Sequence, residues 1–358
     1  MYNHPPDYPG SIGGSIVRVA MYYNNQDVRV EQMPRPEIGP GELLLRVEAS
    51  GICGSDVMEW YRLHKAPLVL GHEIAGQVAE VGKDVKRFFR GDRVIACHHV
   101  PCNTCHYCLR GHPTVCETLR KTNFFPGGFA EYVRLPEINV DRGVWPIPGE
   151  ISYEEATFTE PLACVLRAQK LAGLQPGMSL LVLGSGIAGL LHVHAGRIFG
   201  GSPVVATDIV EYRLEAAKRF GADAAFHARE DVPARLRQVN GGRLADIVIV
   251  STGAPAAILQ ALHSVERGGT VLFFAPADRG GTLPLPLNDI FWRNEVTLKS
   301  SYAGSAEDHA TALELIRTRR VLVREMITHR LSLEETGLGF RLVAAGKESI
   351  KVIVEPQR

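Results

Sequence analysis

The alternation of apolar and polar positions separates the chain into two kinds of sequence. Before about residue 150 the apolar runs are short and are interrupted by turn residues such as Asn24-Asn25 and Gly39-Pro40-Gly41. This pattern predicts a turn-rich, all-β unit. Strands are expected over residues 16–22, 28–33, 42–49, 74–81 and 92–96.

The pattern changes at Met178. Residues 179–183 form a nearly continuous apolar run, which is typical of a parallel strand buried on both faces. A glycine-rich segment and a helical stretch over residues 190–199 follow it directly. This alternation of strands and helices predicts a doubly wound α/β sheet. Further strands are expected over residues 204–207, 245–250 and 269–274, and further helices over 214–220 and 255–265.

The domain boundaries follow from these changes. Residues 1–15 are rich in proline, glycine and polar residues and lack the basic and apolar regions of a signal peptide, so we expect a loose tail and a cytoplasmic protein. The β-rich domain is predicted over residues 16–165 and the doubly wound domain over 166–300. Residues 301–358 are expected to rejoin the first domain.

Charge and hydropathy argue against two classes of partner. The 358 residues include 39 Lys and Arg and 39 Asp and Glu, so the formal net charge is zero. A balanced charge gives no broad electrostatic footprint for nucleic acid or for an anionic membrane. No apolar run reaches the length that spans a bilayer. We therefore expect neither a nucleic-acid nor a membrane partner.

The glycine-rich segment carries the signature of a dinucleotide-binding loop. Gly184, Gly186 and Gly189 lie between a predicted strand and a predicted helix. The first two glycines let the backbone approach a pyrophosphate at the helix N-terminus, and the third allows close packing of helix on strand. The candidate loop residues are Gly184, Gly186, Ile187, Ala188 and Gly189.

An acidic residue follows this loop at the distance that the signature requires. Asp208 lies about twenty residues further on, where a carboxylate accepts from the ribose hydroxyls and repels a 2′-phosphate. Ile209, and not an arginine, comes directly after it. This combination favours NAD over NADP. Arg213 is a further candidate, which we expect to cover the adenosine.

Four of the seven cysteines fall close together. Cys102, Cys105 and Cys108 are separated by two residues each, and Cys116 follows after seven more. Two residues between thiols let a tight loop wrap a tetrahedral ion, and four thiolates leave no open position on it. In a cytosolic chain this cluster indicates a structural zinc site before a disulfide, with a redox cluster or free thiols as the alternative.

Other cysteines and histidines lie near these motifs. Because four thiolates complete the shell, the neighbouring histidines are interpreted as surface residues: His98, His99, His106 and His112. Cys97 and Cys164 are interpreted as ordinary small buried residues.

A second candidate metal site stands on either side of a short loop. Cys53, Ser55 and Asp56 precede this loop, and His72 and Glu73 follow it. A catalytic zinc takes thiol, imidazole or carboxylate ligands at three positions and keeps the fourth open. Taken alone, the same residues are equally compatible with a buried cysteine and a surface histidine. The cysteine cluster and the dinucleotide loop favour the metal interpretation.

Glu160 is the remaining candidate for this site. Ser152 and Glu155 have the spacing of a capping box, which predicts the start of a helix that carries Glu160. Its neighbours Phe158 and Leu162 are apolar, so the acid needs a partner if it is buried. A solvated surface glutamate is the alternative.

With these features placed, the sequence resembles the zinc-dependent medium-chain dehydrogenases from about residue 16 to its end. The resemblance implies an α/β architecture, with a GroES-like β-rich catalytic domain and a Rossmann cofactor domain built on a doubly wound parallel sheet. The Glu-Pro-Leu form at Glu160 is similar to the sorbitol and polyol dehydrogenase branch. The motifs that carry the resemblance are Cys53-Gly-Ser55-Asp56, Gly71-His72-Glu73, the four-cysteine lobe, Glu160-Pro161-Leu162 and Gly184 to Gly189.

The resemblance also implies roles for individual residues. Cys53, His72 and either Glu73 or Glu160 would bind a catalytic zinc, with the other glutamate exchanging or holding the water. Two zinc ions per chain are then expected, one catalytic and one structural, together with NAD. Lys351 falls where the family often places a base near the cofactor phosphates. Members are commonly dimers or tetramers, so a homodimer or homotetramer is expected.

Two positions depart from the family's pattern. Met58 stands where the family often has a histidine at the outer end of a proton relay. Residues 300–304 read Ser-Ser-Tyr-Ala-Gly, where polyol members often carry an Arg-Tyr pair. The first departure leaves the proton exit open, and the second leaves sorbitol itself open as the substrate. The pocket candidates by position are Met58, Trp60, Phe124 and Tyr302.

The expected reaction is the NAD-linked oxidation of a secondary alcohol, such as a polyol or cyclitol, to a ketone. Ser55 would take the proton of the substrate hydroxyl and pass it to the cofactor ribose or to water. A loop hydroxyl bonded to its own backbone is the alternative for this residue. Rival functions are a threonine-type amino-alcohol dehydrogenase, a zinc-free quinone or enoyl reductase, and a non-catalytic cofactor-binding protein. The complete ligand set argues against the last two.

Overall fold

The computed structural model describes residues 15–358, so the predicted tail lies almost entirely outside the described residues. The strands are β1 (Ile16–Asn24), β2 (Asp27–Pro34), β3 (Leu43–Gly51), β4 (Leu68–Val69), β5 (Glu73–Val81), β6 (Arg93–Cys97), β7 (Tyr132–Leu135), β8 (Val144–Pro146), β9 (Leu180–Leu183), β10 (Val204–Asp208), β11 (Ala224–His227), β12 (Ala245–Val250), β13 (Val265–Phe273), β14 (Thr297–Ser300), β15 (Ile327–Ser332) and β16 (Lys351–Glu355).

Helices connect these strands, and most of the long ones belong to the second half of the chain. They are α1 (Glu59–Arg62), α2 (His106–Leu109), α3 (Glu117–Lys121), α4 (Glu137–Arg142), α5 (Tyr153–Ala156), α6 (Thr159–Ala172), α7 (Ile187–Ile198), α8 (Glu211–Arg219), α9 (Val232–Val239), α10 (Pro255–Ser264), α11 (Leu287–Ile290), α12 (Ala306–Arg317) and α13 (Thr336–Ala345). Single turns of 3₁₀ helix span Leu63–Lys65, Pro113–Val115 and Val323–Met326.

The first part of the chain forms two mostly antiparallel sheets, as its alternating pattern predicts. One sheet has the order β2-β1-β4, and the other has the order β15-β16-β3-β5-β6-β8 with β7 beside β3. In the larger sheet Gly51 lies opposite Glu73, and Glu73 in turn lies opposite Cys97. The chain segments just beyond these strand ends are therefore neighbours in space.

The end of the chain returns to this larger sheet. β16 pairs antiparallel with β3, so that Ile353 lies opposite Gly51, and β15 pairs parallel with β16. Lys351 precedes Ile353 by two positions and therefore shares its face of the sheet. The last strand thus brings Lys351 close to the segment that leads into Cys53.

The middle of the chain forms a six-stranded sheet in the order β11-β10-β9-β12-β13-β14. All of its pairings are parallel. The central strand β9 is buried along its whole length, as its apolar sequence predicts. The predicted architecture, a β-rich domain beside a doubly wound parallel sheet, is confirmed.

The helix predicted to run from Ser152 through Glu160 is in fact two helices. Ser152 caps α5 with both hydrogen bonds of the capping box formed to Glu155, as predicted. Glu160 lies in the first turn of α6, which begins only at Thr159. Pro161 explains the break, because proline is tolerated in the first turn of a helix but disrupts its interior.

Helix α6 also joins the two parts of the molecule. One apolar cluster contains Ala75 of the antiparallel sheet, Leu162 of α6 and Val182 of the parallel sheet. The domain boundary predicted after residue 165 thus falls inside a packed helix. None of the helices found in residues 15–358 has the length and apolar character needed to cross a membrane.

Candidate active site

Three zinc-type donor atoms meet where β3 ends and β5 begins. The sulfur of Cys53, a ring nitrogen of His72 and a carboxylate oxygen of Glu73 lie within 4.8 Å of one another. The pairing of β3 with β5 causes this, because Gly51 lies opposite Glu73 and Cys53 follows two residues later. The structure thus brings the predicted ligands together, and the spacing suits a single metal ion bound by three protein atoms.

Asp56 holds two of these ligands in place. One oxygen of its fully buried carboxylate lies 3.3 Å from His72 Nδ1, and the other accepts the backbone N–H of Cys53 at 3.0 Å. This carboxylate beside Nδ1 favours the ring orientation that leaves Nε2 for a metal. Burial alone would lower the pKa of His72, but Asp56 and Cys53 outweigh burial and raise it well above its ordinary value.

Lys351 supports the third donor. Its side chain is fully buried, its ammonium pairs with a Glu73 oxygen, and it also donates to the carbonyl of Ile52 at 3.2 Å. Gly51 leaves the space for this pair, since a Cβ there would lie 2.7 Å from Lys351 Cε. This corrects the expectation that Lys351 lies at the cofactor phosphates: the pairing of β16 with β3 places it beneath the metal site instead.

Glu160 lies close to the same site but outside the group of three donors. Its carboxylate accepts a weak hydrogen bond from Cys164 Sγ, one helical turn later, at 3.5 Å. Burial raises the pKa of Glu160 above its ordinary value, and the nearby Glu73 carboxylate adds to this effect. Cys164, expected to be an ordinary packing residue, is therefore the hydrogen-bond partner of the Glu160 carboxylate.

His98 and His99 correct a second expectation. The expectation of surface histidines is wrong for these two, because the His98 ring lies 4.9 Å from the His72 ring and 3.8 Å from the His99 ring. The register of β6 explains this, because Cys97 lies opposite Glu73 and the two histidines follow it directly. A strand pairing of β5 with β6, drawn from the sequence, would have revealed them.

Two of the predicted pocket residues lie near these histidines. The Phe124 ring lies 6.1 Å from the His98 ring, and the Tyr302 ring lies 6.3 Å from the His99 ring. Trp60 instead contacts Tyr61, and 38% of its surface is exposed. Met58 precedes α1 at its N-terminus.

Sequence reasoning missed Arg62, which contacts Ser55. Its Nε donates to the Ser55 carbonyl at 2.9 Å, and its Nη2 donates to Ser55 Oγ at 3.3 Å. Nη2 also lies 3.5 Å from an oxygen of Asp56. No motif marks this arginine, because it reaches the site only through the short helix α1.

The dinucleotide loop has the geometry that its glycines predict. Gly184 has a φ of +93°, in the left-handed region that favours glycine. A Cβ at Gly189 would collide with the Gly184 carbonyl, whereas at Gly186 the nearest atom would be 3.9 Å away. The loop thus packs tightly behind Gly189 and leaves space at Gly186, where α7 begins with the N–H groups of Ile187 and Ala188.

Asp208 and Arg213 lie next to this loop. The Asp208 carboxylate accepts the backbone N–H of Ser185 at 2.8 Å and that of Ile209 at 2.8 Å. Arg213 Nη1 lies 3.9 Å from Asp208. A Cβ at Gly346, after α13, would lie 3.1 Å from Arg213 Nη2. Arg213 therefore covers the loop from the side of the catalytic domain.

The four remaining donors form a closed group of sulfurs. Cys105 and Cys108, and also Cys102 and Cys116, have their Sγ atoms 3.6 Å apart, and those of Cys102 and Cys108 are 4.0 Å apart. A tetrahedral zinc with Zn–S bonds of about 2.3 Å requires S···S edges of about 3.8 Å. The four cysteines therefore fit the predicted structural zinc. His106 and His112 nearby are exposed, as expected.

A zinc-type donor set in one domain, joined to a dinucleotide loop in the next, defines a zinc-dependent dehydrogenase. Comparison with known families agrees with this class. The model of the alcohol dehydrogenase GroES-like domain matches residues 39–148, and that of the zinc-binding dehydrogenases matches residues 188–318.

Curated relatives narrow the class. Sorbitol dehydrogenase of Bacillus subtilis (strain 168) is 32% identical over 354 residues, covering 96% of this chain and 98% of the relative. D-xylulose reductase A of Aspergillus oryzae is 33% identical over 341 residues, covering 91% and 93%. The chain belongs to the zinc-dependent medium-chain dehydrogenases, in their polyol dehydrogenase branch.

Solved structures show the same fold. Alcohol dehydrogenase from Thermus sp. ATN1 matches with a TM-score of 0.82 and 29% identity, over 94% of this chain and 99% of that one. A protein of Sinorhizobium meliloti 1021, classed with the zinc-binding dehydrogenases and solved with NADP, matches with a TM-score of 0.84 and 29% identity, over 96% and 100%. The predicted family, zinc dependence and nicotinamide cofactor are thereby confirmed.

Proposed function

We propose that the protein oxidises a secondary alcohol of the polyol class to a ketone, with NAD as the hydride acceptor. The observation that carries this proposal is the donor group of Cys53, His72 and Glu73, with Ser55 two residues from Cys53. Three protein donors leave the fourth position of a tetrahedral zinc for a substrate oxygen. The relatives named sorbitol dehydrogenase and D-xylulose reductase support a polyol as substrate.

We assign the third ligand to Glu73 and not to Glu160. Glu73 belongs to the group of donors within 4.8 Å, and Lys351 engages only one of its two oxygens. The other oxygen is therefore left for the metal. Glu160, with its raised pKa and its hydrogen bond from Cys164, suits a residue that holds the water of the resting enzyme.

When bound, zinc supplies the positive charge that acidifies the substrate hydroxyl, and the nicotinamide ring accepts the hydride. Ser55 Oγ accepts the hydroxyl proton and releases its own proton towards the cofactor ribose or water. Arg62 donates to the same Oγ at 3.3 Å and so orients the serine. Because a guanidinium has donors and no acceptor, Arg62 positions Ser55 without taking up the proton itself.

The cofactor preference follows from Asp208. Its carboxylate is only 6% exposed and ends β10 beside the glycine-rich loop, where it would repel a 2′-phosphate. Arg213 lies 3.9 Å away and offsets part of this repulsion. We therefore propose NAD with a modest preference over NADP.

For the assembly we propose a homodimer or homotetramer in the cytoplasm. β14 is an edge strand of the parallel sheet, and most of its residues are exposed. Leu287 and Trp292, close to it in sequence, are 63% and 67% exposed. An exposed strand edge with large apolar neighbours is a surface that proteins usually cover. Light scattering measures the oligomeric state and so tests the proposed assembly. A reducing cytoplasm is compatible with the free cysteines.

The deciding experiment measures zinc per chain together with NAD reduction, in the wild type and in Cys53→Ser. We expect two zinc ions in the wild type and one in the variant, with loss of turnover on secondary alcohols and polyols. A panel that includes threonine separates the polyol reaction from an amino-alcohol reaction. If the wild type and Cys53→Ser each bound one zinc ion per chain, the assignment of a catalytic metal would be wrong.

A further inference from the structure

The short segment that follows Ser55 carries two cations on one aromatic ring. Arg62 ends α1, and its Cζ lies 4.6 Å from the centre of the Tyr61 ring. Lys65 ends the following 3₁₀ turn, and its Nζ lies 4.3 Å from the same ring. The three side chains therefore form one positively charged block, and Arg62 connects this block to Ser55.

Arg62 has donors to spare inside the site. Its Nε and Nη2 are directed to Ser55, and Nη2 is also close to Asp56. Its Nη1 makes no hydrogen bond to any residue between 15 and 358, although only 14% of the side chain is exposed. A guanidinium nitrogen without a protein partner is able to donate to a further acceptor.

The acidic side chains around the site are already engaged elsewhere. Asp56 binds His72 and Cys53, the buried Glu73 pairs with Lys351, and Glu160 accepts from Cys164. Asp56 also lies 3.5 Å from Arg62 Nη2, which leaves Nη1 as the nitrogen of this guanidinium without a carboxylate partner among the described residues. Within residues 15–358, that nitrogen has no anionic hydrogen-bond partner.

His98 and His99 are partly buried and lie within electrostatic reach of Arg62. Burial lowers the pKa of His99 to about 4, and the charges of His72, Arg62 and Lys65 add to it, against a hydrogen bond to Thr122. Burial also lowers the pKa of His98 well below its ordinary value. The buried Nδ1 of His98 has no partner among the described residues and is available to a substrate hydroxyl.

We propose that the substrate is a polyhydroxy acid, in which a carboxylate bound by Arg62 Nη1 lies a few bonds from the carbinol that is oxidised. This inference rests on the proposed alcohol oxidation and specifies its substrate class. Arg62 Nη2 lies 3.3 Å from Ser55 Oγ, so the group on Nη1 and the hydroxyl on Ser55 must belong to one short chain.

The reaction itself is unchanged by the carboxylate. The carbinol carbon loses its hydride to NAD, the hydroxyl loses its proton through Ser55, and a keto acid, NADH and one proton result. The carboxylate takes no part in the bond changes. A carboxylate fits better than a phosphate, because a phosphate carries more charge and normally takes several donors, whereas Arg62 offers only one free nitrogen.

The experiment compares matched neutral and anionic substrates on the zinc-loaded enzyme with NAD. Gluconate is paired with sorbitol, and xylonate with xylitol, so that each pair has equal chain length. We expect a kcat/KM at least about ten times higher for the acid of each pair, because hydrogen bonds to charged partners are about twice as strong as neutral ones. Isothermal calorimetry without NAD gives the binding constants of the same compounds independently of turnover.

Arg62→Met tests the residue. It preserves packing on Tyr61 and should weaken the binding of gluconate about 10- to 100-fold. The binding of sorbitol should change much less. The ratio of the binding constants of gluconate and sorbitol therefore reports the contact with the carboxylate. Arg62→Lys, which retains the charge, should restore part of the preference for the acid. This second variant keeps the test valid if the methionine variant folds poorly.

A matched control is available in the same domain. Arg93 also donates to a backbone carbonyl, that of Ile151 at 2.6 Å, and it also stacks on a tyrosine ring, that of Tyr153 at 4.6 Å. Its guanidinium contacts Gly149, Ile151 and Tyr153 and not the residues around Ser55, so Arg93→Met should leave the ratio of acid to polyol unchanged. An equal shift of the ratio in this variant would overturn the assignment to Arg62.

The outcomes separate this inference from the proposed function. The inference would be overturned if the enzyme oxidised sorbitol and xylitol as fast as their acids. It would also be overturned if the ratio of gluconate binding to sorbitol binding were the same in Arg62→Met as in the wild type. Either result would leave the alcohol oxidation intact. If the enzyme preferred a polyol phosphate to both the polyol and its acid, the proposal that the substrate carries a carboxylate would be overturned. Absence of NAD reduction with every compound, despite two bound zinc ions, would instead remove the proposed function.

Discussion

The two metal-type sites of this chain hold their donor atoms in different ways. In the cysteine lobe, four sulfurs 3.6–4.0 Å apart come from one stretch, Cys102 to Cys116. At the catalytic site, Cys53 and His72 come from opposite sides of a loop, and each donor has its own supporting partner. Asp56 supports His72, and Lys351 supports Glu73.

This difference shows what orders each site. The lobe consists of short helices and turns with little apolar burial, so its order depends on the metal that fills the sulfur shell. The catalytic donors lie at the ends of packed strands and are held by buried charges, so their order depends on the fold. One site should contribute mainly to structure, and the other mainly to reactivity.

The largest expected effect comes from replacing one cysteine at each site with serine. Structural zinc contributes on the order of 10 kcal/mol to small zinc-dependent folds. Cys105→Ser should therefore lose one zinc and show fast hydrogen exchange throughout residues 102–121. Cys53→Ser should lose the other zinc and all turnover while the lobe stays protected. A protected lobe in zinc-depleted Cys105→Ser would contradict the distinction between the two sites.

The second effect concerns the charge beneath the catalytic site. Lys351→Met leaves the buried Glu73 carboxylate without its partner, which should lower the free energy of unfolding by about 3–5 kcal/mol in zinc-depleted protein. Chemical denaturation measures this change. The control is Lys170→Met, whose pair with Glu307 is 66% and 75% exposed and should contribute less than about 1 kcal/mol. Similar losses in the two variants would contradict a supporting role for Lys351.

A third substitution tests the partner of His72. Asp56→Asn keeps the shape of the side chain but weakens its hold on His72 Nδ1, and loss of such a partner typically lowers metal affinity 10- to 100-fold. Competition with a chelator should show this loss at one zinc only. Asp141→Asn, on an exposed carboxylate, is the control. Weakening of both zinc ions by Asp56→Asn would show that the two sites are not independent.

The smallest effect is a dependence on pH that only the catalytic site should show. The pKa of His99 is about 4 in the folded protein, against an ordinary value of 6.5. Between these values the unfolded chain binds a proton that the folded chain does not, so stability falls as the pH drops from 6.5 towards 4.

Because His99 is partly exposed, we expect its contribution over this pH range to be only about 1 kcal/mol. His99→Gln should reduce the acid-induced loss of stability by that amount, measured by denaturation at pH 7 and pH 4.5. His106→Gln, in the exposed part of the lobe, is the control. An unchanged pH dependence in His99→Gln would assign the acid sensitivity to other groups.

The same contrast explains how much of each site the sequence predicts. The lobe is predicted completely, because its four ligands lie close together and their spacing already describes a tetrahedral shell. At the catalytic site the sequence predicts Cys53 and His72 but leaves Glu73 and Glu160 undecided. That choice depends on which carboxylate a strand pairing brings nearer.

The residues that sequence reasoning missed or misplaced are those that depend on long-range pairing. Lys351 reaches Glu73 only because β16 pairs with β3, almost 300 residues away in the chain. His98 and His99 reach His72 because Cys97 lies opposite Glu73. Local periodicity predicted the strands themselves and the doubly wound sheet, but it does not determine the register between strands.

Helix α6 links the packing of the two sheets to the position of Glu160. Its first turn carries Glu160 at the metal donors, and the rest of its 14 residues pack between the two sheets. At a rise of 1.5 Å per residue the helix is about 21 Å long, so a rotation of about 5° at its far end would move Glu160 by about 2 Å. A change in the packing of this helix would therefore move the carboxylate next to the zinc ligands, without a change in those ligands themselves.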